Sequence, residues 1–333
     1  MCDCHPATMT RRRLLGGIAA GLGATMLASA ARAMPLGCFS AAELAGNPAE
    51  RFSRRPTLAD RFPMPAPAPA GPAVAGARAG IIRRVALPVG DKALALTFDL
   101  CQTRSPIAGY DGAVVDFLRA NAVPATFFPA GRWLATHRER AIQLAADPLF
   151  VLGNHSFDHP DLHAASAEAI ASEILLTETM LMATRAEAAA ACAAGKGEPM
   201  RLFRFPYGSC EAAGAAAANA IGSVVIQWDV VSGDPDGTSA RAITANVLGG
   251  AKPGSIVVMH ANGRGTHTAE ALATIVPRLR SAGYRFLTVP DLIAAGTPAA
   301  ATACYINKPG DTRRYDDRIA HHIPPPGAER GRA

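Results

Sequence analysis

Hydrophobic positions along the chain fall into two alternating rhythms. Short apolar runs at 93–98, 125–128, 149–152, 202–205, 223–228, 255–259 and 285–288 have the length and residue types of buried strands. Between them, apolar residues recur at helical spacing, as in Val114, Val115, Phe117 and Leu118, in the alanine-rich stretch 164–194 and over 269–280. Strand and helix alternating through short links predict parallel strands joined by right-handed crossovers. The expected fold is therefore α/β, a distorted barrel of about seven parallel strands, with a doubly wound open sheet as the alternative.

The rhythm begins near Ile81 and ends near Gly296, which sets the expected folded body at 81–296. Before it, Arg11-Arg12-Arg13 precedes a weakly apolar Gly/Ala-rich stretch ending in Ala31-Arg32-Ala33, a small-x-small cleavage pattern. Residues 1–33 resemble a twin-arginine export signal, and the product is expected to be periplasmic or secreted. No other apolar run is long enough to span a bilayer, so no stable membrane insertion is expected once the signal is cut. Residues 34–80 are basic and then rich in Pro and Ala, and 62–80 reads as a semi-extended linker. Residues 297–333 lose periodicity and read as a tail that wraps the domain.

Composition sharpens this picture. The 49% of apolar residues is enough to fill a sizeable core. The net charge of +6 is carried by the leader: residues 1–33 hold four arginines against Asp3, and residues 34–84 hold seven against Glu43, Glu50 and Asp60. The body has no basic excess, which argues against a nucleic-acid partner. Past the signal stand Cys38, Cys101, Cys192, Cys210 and Cys304, without a C-x-x-C pair. Cys101 and Cys210 each follow a predicted strand on one rim and are expected to form a disulfide.

Polar residues with catalytic potential stand where the predicted strands end: Asp99, His155, Arg204, Asp229 and His260. In a parallel barrel these ends share one face. His155 and His159, four apart, are expected to project from one side of a helical turn and so to reach one cation. The glutamate of a His-Glu-x-x-His zinc motif is absent, so a general base must come from elsewhere. His137, His163, His267, His321 and His322 read as surface or substrate-edge residues.

With these neighbours the sequence resembles the polysaccharide deacetylase family, carbohydrate esterase family four, whose catalytic part is the NodB homology domain. Thr97-Phe98-Asp99 is similar to the family's first motif, Thr-Phe-Asp-Asp-Gly, and His155 to His159 matches its metal motif, His-Ser/Thr-x-x-His. Arg204-Phe205-Pro206-Tyr207-Gly208 resembles the third motif, residues 228–234 the fourth, and 256–260 the fifth, which ends in a histidine acid. The resemblance implies removal of acetyl groups from an N- or O-acetylated glycan through water activated by a divalent metal. It gives Asp99 the role of base, His260 that of acid and Arg204 that of holding the base. It makes the Tyr207 N–H an oxyanion donor and Asp234 the residue that tunes His260, with Asp229 as runner-up for that task.

One departure stands out. The family's second aspartate is a metal ligand, and here that position is Leu100. Asp111, in the Tyr110-Asp111-Gly112 segment, is the favoured replacement, with Asp99 and Asp158 as alternatives and a helix N-cap as the competing role of Asp111. Histidine with carboxylate suits zinc, cobalt and manganese alike, with zinc expected first. Two other readings remain: a glycan-binding relative that has lost catalysis, and a hydrolase of another acyl or amide substrate.

Overall fold

The computed structural model describes residues 37–51, 64–101, 109–192 and 199–312. The expected signal segment, His321 and His322 lie outside the described residues. The strands are β1 (Ile81–Ala86), β2 (Ala93–Leu100), β3 (Ala125–Pro129), β4 (Phe150–Leu152), β5 (Leu202–Phe203), β6 (Val224–Ile226), β7 (Val230–Val231), β8 (Ile256–His260), β9 (Arg285–Phe286) and β10 (Thr297–Ala301). The helices are α1 (Ala41–Leu44), α2 (Gly112–Ala120), α3 (Gly131–Thr136), α4 (Arg138–Ala146), α5 (Ala167–Cys192), α6 (Ala212–Ala220), α7 (Ala240–Gly250), α8 (Thr268–Ser281) and α9 (Val289–Ala294). Each of the expected strands has a counterpart, and β1, β7 and β10 are additional.

One sheet runs β4-β3-β2-β8-β7 with β9 beside β2, and the other runs β10-β1-β6-β5. Pairing is parallel throughout except between β1 and β10. Two features join the sheets. Asn154, just past β4, bridges in parallel to Phe203 of β5, and β6 and β7 are successive pieces of one segment. The product is a distorted, incompletely closed barrel with the carboxyl ends of β2, β4, β5, β7 and β8 on one rim.

β2 is buried along its whole length because parallel strands at the centre are covered on both faces. Leu94, Leu96 and Phe98 pack outward with Val114, Val115 and Leu118 of α2 and Ile275 and Val276 of α8. Ala93 and Ala95 point inward with Phe128, Leu202, Ile226, Trp228 and Val258. The same alternation turns Asp99 inward at the rim.

The segments flanking the body are docked onto it. Residues 64–75 form neither helix nor strand and lie on the helical layer: the amides of Ala68, Gly71 and Val74 donate to the carbonyls of Leu175, Ile221 and Asn219 at 3.0, 3.0 and 2.9 Å. In the leader, Arg140 donates to the carbonyls of Glu43 and Ala45, and Arg119 to that of Leu44. The tail contributes β10, which closes the edge of β1. Among the described residues no helix is long and apolar enough to cross a membrane.

The disulfide expectation is corrected. Cys38 pairs with Cys192 and Cys210 with Cys304, while Cys101 is a free, buried thiol. The reason is β10: it returns the chain so that the Cys304 amide donates to the Cys210 carbonyl at 3.2 Å, placing those two side chains together.

Candidate active site

The rim gathers Asp99, His155, His159, Arg204, Tyr207, Asp234 and His260. Asp99 ends the inward row of β2, and its Oδ1 accepts from Arg204 Nη1 at 2.7 Å. Arg204 is fully buried, with its guanidinium over the rings of Phe128 (4.0 Å) and Trp228 (5.4 Å) and Nε donating to the Ile226 carbonyl. Burial alone would raise the Asp99 carboxyl, but Arg204, with His155 and His260, holds it below the usual carboxylate range. Asp99 Oδ2 stands 3.6 Å from His155 Nε2.

The histidine pair does not lie on a helical turn, as its spacing predicts. Residues 155–159 form a loop in which Ser156 (φ 65°) and His159 (φ 57°) are left-handed, a conformation costly for non-glycine residues. The loop is fixed from three sides. Asn154 Oδ1 accepts from the Ser156 amide, Ser156 Oγ from the His159 amide, and Glu173 Oε2 from the amides of Phe157 and Asp158. The two imidazoles still converge, with ring centroids 4.8 Å apart. His155 Nδ1 lies 2.8 Å from the Arg204 carbonyl, which can only accept, so the proton sits on Nδ1 and Nε2 presents a lone pair. Burial pushes the His155 pKa down and that of His159 well down, favouring the neutral ligand form of both.

A third donor stands beside them. Ligand atoms of Cys101, His155 and His159 lie within 4.8 Å of one another, and all three residues are buried. Asn262, just past β8, donates through Nδ2 to the Cys101 carbonyl at 2.7 Å and to its sulfur at 3.4 Å. Burial and the nearby Asp99 carboxylate push the free thiol up to about 12. The donor types and closeness fit a divalent metal.

Asp111, the favoured replacement ligand, is not part of this group. It precedes α2 in the N-cap position, and its Oδ2 faces Arg51 Nε at 3.3 Å. Burial raises its carboxyl. Asp158 is also placed elsewhere, paired with Arg132 at the surface. Asp229 accepts from the Ile256 amide and Ser255 Oγ at the start of β8, the end opposite His260.

His260 ends β8 and is oriented by Asp234. Asp234 Oδ1 accepts from His260 Nδ1 (3.0 Å) and Ser232 Oγ (2.7 Å), and its Oδ2 from the His260 amide (2.7 Å) and Thr268 Oγ1 (2.7 Å). Burial pushes the His260 pKa down, but the Asp234 carboxylate outweighs it and the net shift is upward. His260 Nε2 is thereby left for an incoming group. Tyr207 sits in a left-handed turn (φ 58°, ψ 4°), with its ring 4.6 Å from His159 and its hydroxyl donating to the His159 carbonyl at 3.3 Å. Of the remaining histidines, His137 is buried and stacked on Trp133 rather than exposed, whereas His163 and His267 keep partial exposure.

Several supports escape sequence reasoning. Thr268, Asn262 and Glu173 act through hydrogen bonds across separations of 34, 161 and 16 residues that no local pattern marks, and Ser232 through a bond to Asp234 two residues on. Cys101 carried a usable signal, two residues beyond Asp99 at the end of the same strand.

The model of the family described as polysaccharide deacetylase matches residues 86–226. A peptidoglycan-N-acetylglucosamine deacetylase of Bacillus cereus is 30% identical over 207 residues, 62% of this chain and 70% of that protein. Its counterpart in Listeria monocytogenes is 31% identical over 202 residues, 61% of this chain but 39% of that protein. Among solved structures, a peptidoglycan N-acetylglucosamine deacetylase in complex with an N-oxidanyl-benzamide superposes with a TM-score of 0.54 at 27% identity, covering 64% of this chain and 93% of that one. A family-four pseudoenzyme from Bacillus anthracis gives 0.51 at 26% identity, covering 61% and 66%. With that identity over that share of the first relative, and a fold in common with both solved structures, the chain belongs to the polysaccharide deacetylase family.

Proposed function

We propose that the protein is a metal-dependent hydrolase that removes acetyl groups from an N-acetylated amino sugar in a glycan of the peptidoglycan or chitin kind. The observation that carries this reading is the gathering of two ion pairs beside the His155 and His159 pair, Asp99 with Arg204 and His260 with Asp234, on the in-register ends of neighbouring strands β2 and β8. A binding module needs neither a poised base nor an oriented acid.

A divalent cation at the two histidines supplies Lewis-acid polarisation of the acyl carbonyl and a more acidic water. Asp99 Oδ2, with Oδ1 held by Arg204, takes the proton from the attacking water. The backbone N–H of Tyr207, whose ring packs against His159, donates to the developing oxyanion. His260, protonated and fixed through Nδ1, gives a proton from Nε2 to the departing amine.

Release of acetate from N-acetylglucosamine oligomers by zinc-loaded protein, its loss on chelation and its loss in His260→Ala test the reading. Tight binding of the oligomers by loaded wild type without acetate release would assign the chain to the pseudoenzymes instead. Export is part of the same proposal, supported by the disulfides Cys38–Cys192 and Cys210–Cys304, which persist in oxidising compartments. Cell fractionation with N-terminal sequencing checks it: mature protein beginning at Met34 outside the cytoplasm is expected, and full-length cytoplasmic protein refutes it.

A further inference from the structure

The position of the missing aspartate, Leu100, lies in the core facing away from the rim, so the site needs a third ligand from elsewhere. The candidate carboxylates are engaged otherwise. Asp99 Oδ1 is held by Arg204, Asp111 faces Arg51 before α2, and Asp158 is paired with Arg132 at the surface. Among the described residues, the group whose ligand atoms come within 4.8 Å of one another is Cys101, His155 and His159, without a carboxylate.

We infer that the cation is held by the Cys101 sulfur as thiolate together with one imidazole nitrogen each from His155 and His159. This rests on the proposed metal-dependent reading only in placing a cation at the two histidines. Three features of the site suit the assignment. The His155 Nε2 lone pair is exposed by the bond from Nδ1 to the Arg204 carbonyl. The sulfur carries an N–H donor, Asn262 Nδ2 at 3.4 Å, the kind of outer contact that supports a metal-bound thiolate. Three protein ligands with one position left open are the pattern of a catalytic rather than a structural zinc site.

Binding exchanges a proton for the cation. The S–H bond breaks, its proton leaves to the buffer, and the sulfur electron pair binds the metal, with no change of oxidation state. The assignment frees Asp99 from ligation and leaves it available as base. It also sets the metal preference: a thiolate with two imidazoles favours zinc and cobalt over manganese and magnesium more strongly than a carboxylate would.

Cobalt(II) loading of the full chain tests this without reference to turnover. The wild type should show a near-ultraviolet sulfur-to-cobalt charge-transfer band, which Cys101→Ser lacks while binding cobalt at least about 100-fold more weakly, beyond the usual effect of an outer-shell change. Cys101→Asp should bind cobalt without the band and shift relative affinity toward manganese. Zinc-edge X-ray absorption of the wild type needs no variant and should show one sulfur at about 2.3 Å besides nitrogen or oxygen at about 2.0–2.1 Å. Stoichiometric cobalt without the band, zinc without sulfur, or no binding of either metal overturns the inference. The two readings separate cleanly: a sulfur ligand in a protein that releases no acetate keeps this inference and sinks the deacetylase reading, and acetate release with a sulfur-free metal does the reverse.

Discussion

Asp234→Asn exposes the acid half of the site to a quantitative test. Asp234 is fully buried and its two oxygens accept four hydrogen bonds, two of them from His260. Asparagine turns one of those oxygens into an NH2 group. The His260 backbone N–H, which donates to Oδ2, cannot reverse its role, so the amide oxygen stays there and the NH2 takes the Oδ1 place. It then faces His260 Nδ1, which must offer a lone pair and move its proton to Nε2. The ring is left neutral, and its N–H is a far weaker acid than an imidazolium. Losing a buried charge-assisted hydrogen bond costs about 1.5–3 kcal/mol, roughly 10- to 150-fold. Losing the acid as well should bring the fall in kcat to about 10²–10⁴-fold, the usual range for general acid–base catalysis.

The pH profile carries a second signature. Asp234 raises the His260 pKa against the effect of burial, and His260 must be protonated to act. The rate is therefore sustained below that pKa and lost as pH rises through it, so removing the Asp234 charge should shift the alkaline limb to lower pH. Steady-state kinetics on N-acetylglucosamine oligomers across pH, with metal content measured in parallel, supply the assay. A kcat within about threefold of wild type and an unmoved alkaline limb would refute the assignment of His260 as an acid tuned by Asp234.

Arg204→Met leaves the Asp99 carboxylate buried without its partner, so unfolding free energy in denaturant titration should drop by about 3–5 kcal/mol. Gly265→Ala would set a methyl group against Thr268 Oγ1, 2.5 Å from Asp234 Oδ2 and 2.9 Å from the His260 carbonyl, so kcat should fall well over tenfold (about 1.4 kcal/mol) and unfolding free energy in denaturant titration by about 1–3 kcal/mol. Cys304→Ser opens a link spanning 94 residues, worth about 2–4 kcal/mol, and scanning calorimetry should show the midpoint lowered by roughly 5–15 °C.

Seven of the strands are legible because buried parallel strands are short apolar runs, and β2, β3 and β8 answer the pattern almost residue for residue. Asp99, Arg204, Asp234 and His260 were legible through motif order, and the rim brings them together. What escaped was non-local. β10 shows no usable periodicity because it is an edge strand of alanines whose partner lies more than 200 residues upstream in the chain. The Cys210–Cys304 bond depends on that pairing, so strand ends alone point Cys210 to Cys101 instead. The histidine loop defeated the helical reading because spacing constrains separation along the chain, whereas the direction of each imidazole is set by left-handed residues and by Glu173. The loop after β2 offers Asp111 as a carboxylate for the rim, but the leader's Arg51 meets that charge instead.

The stapled tail has a further consequence. The turn presenting Tyr207 is followed at once by Cys210, which is bonded to Cys304, and Trp228 Nε1 next to that turn donates to the Ile306 carbonyl. The turn that holds Tyr207 is thus tied to residues translated about a hundred positions later than itself. A truncation near position 296 that spares every motif residue would remove β10, Cys304 and Ile306 and is expected to leave that turn without its covalent tie.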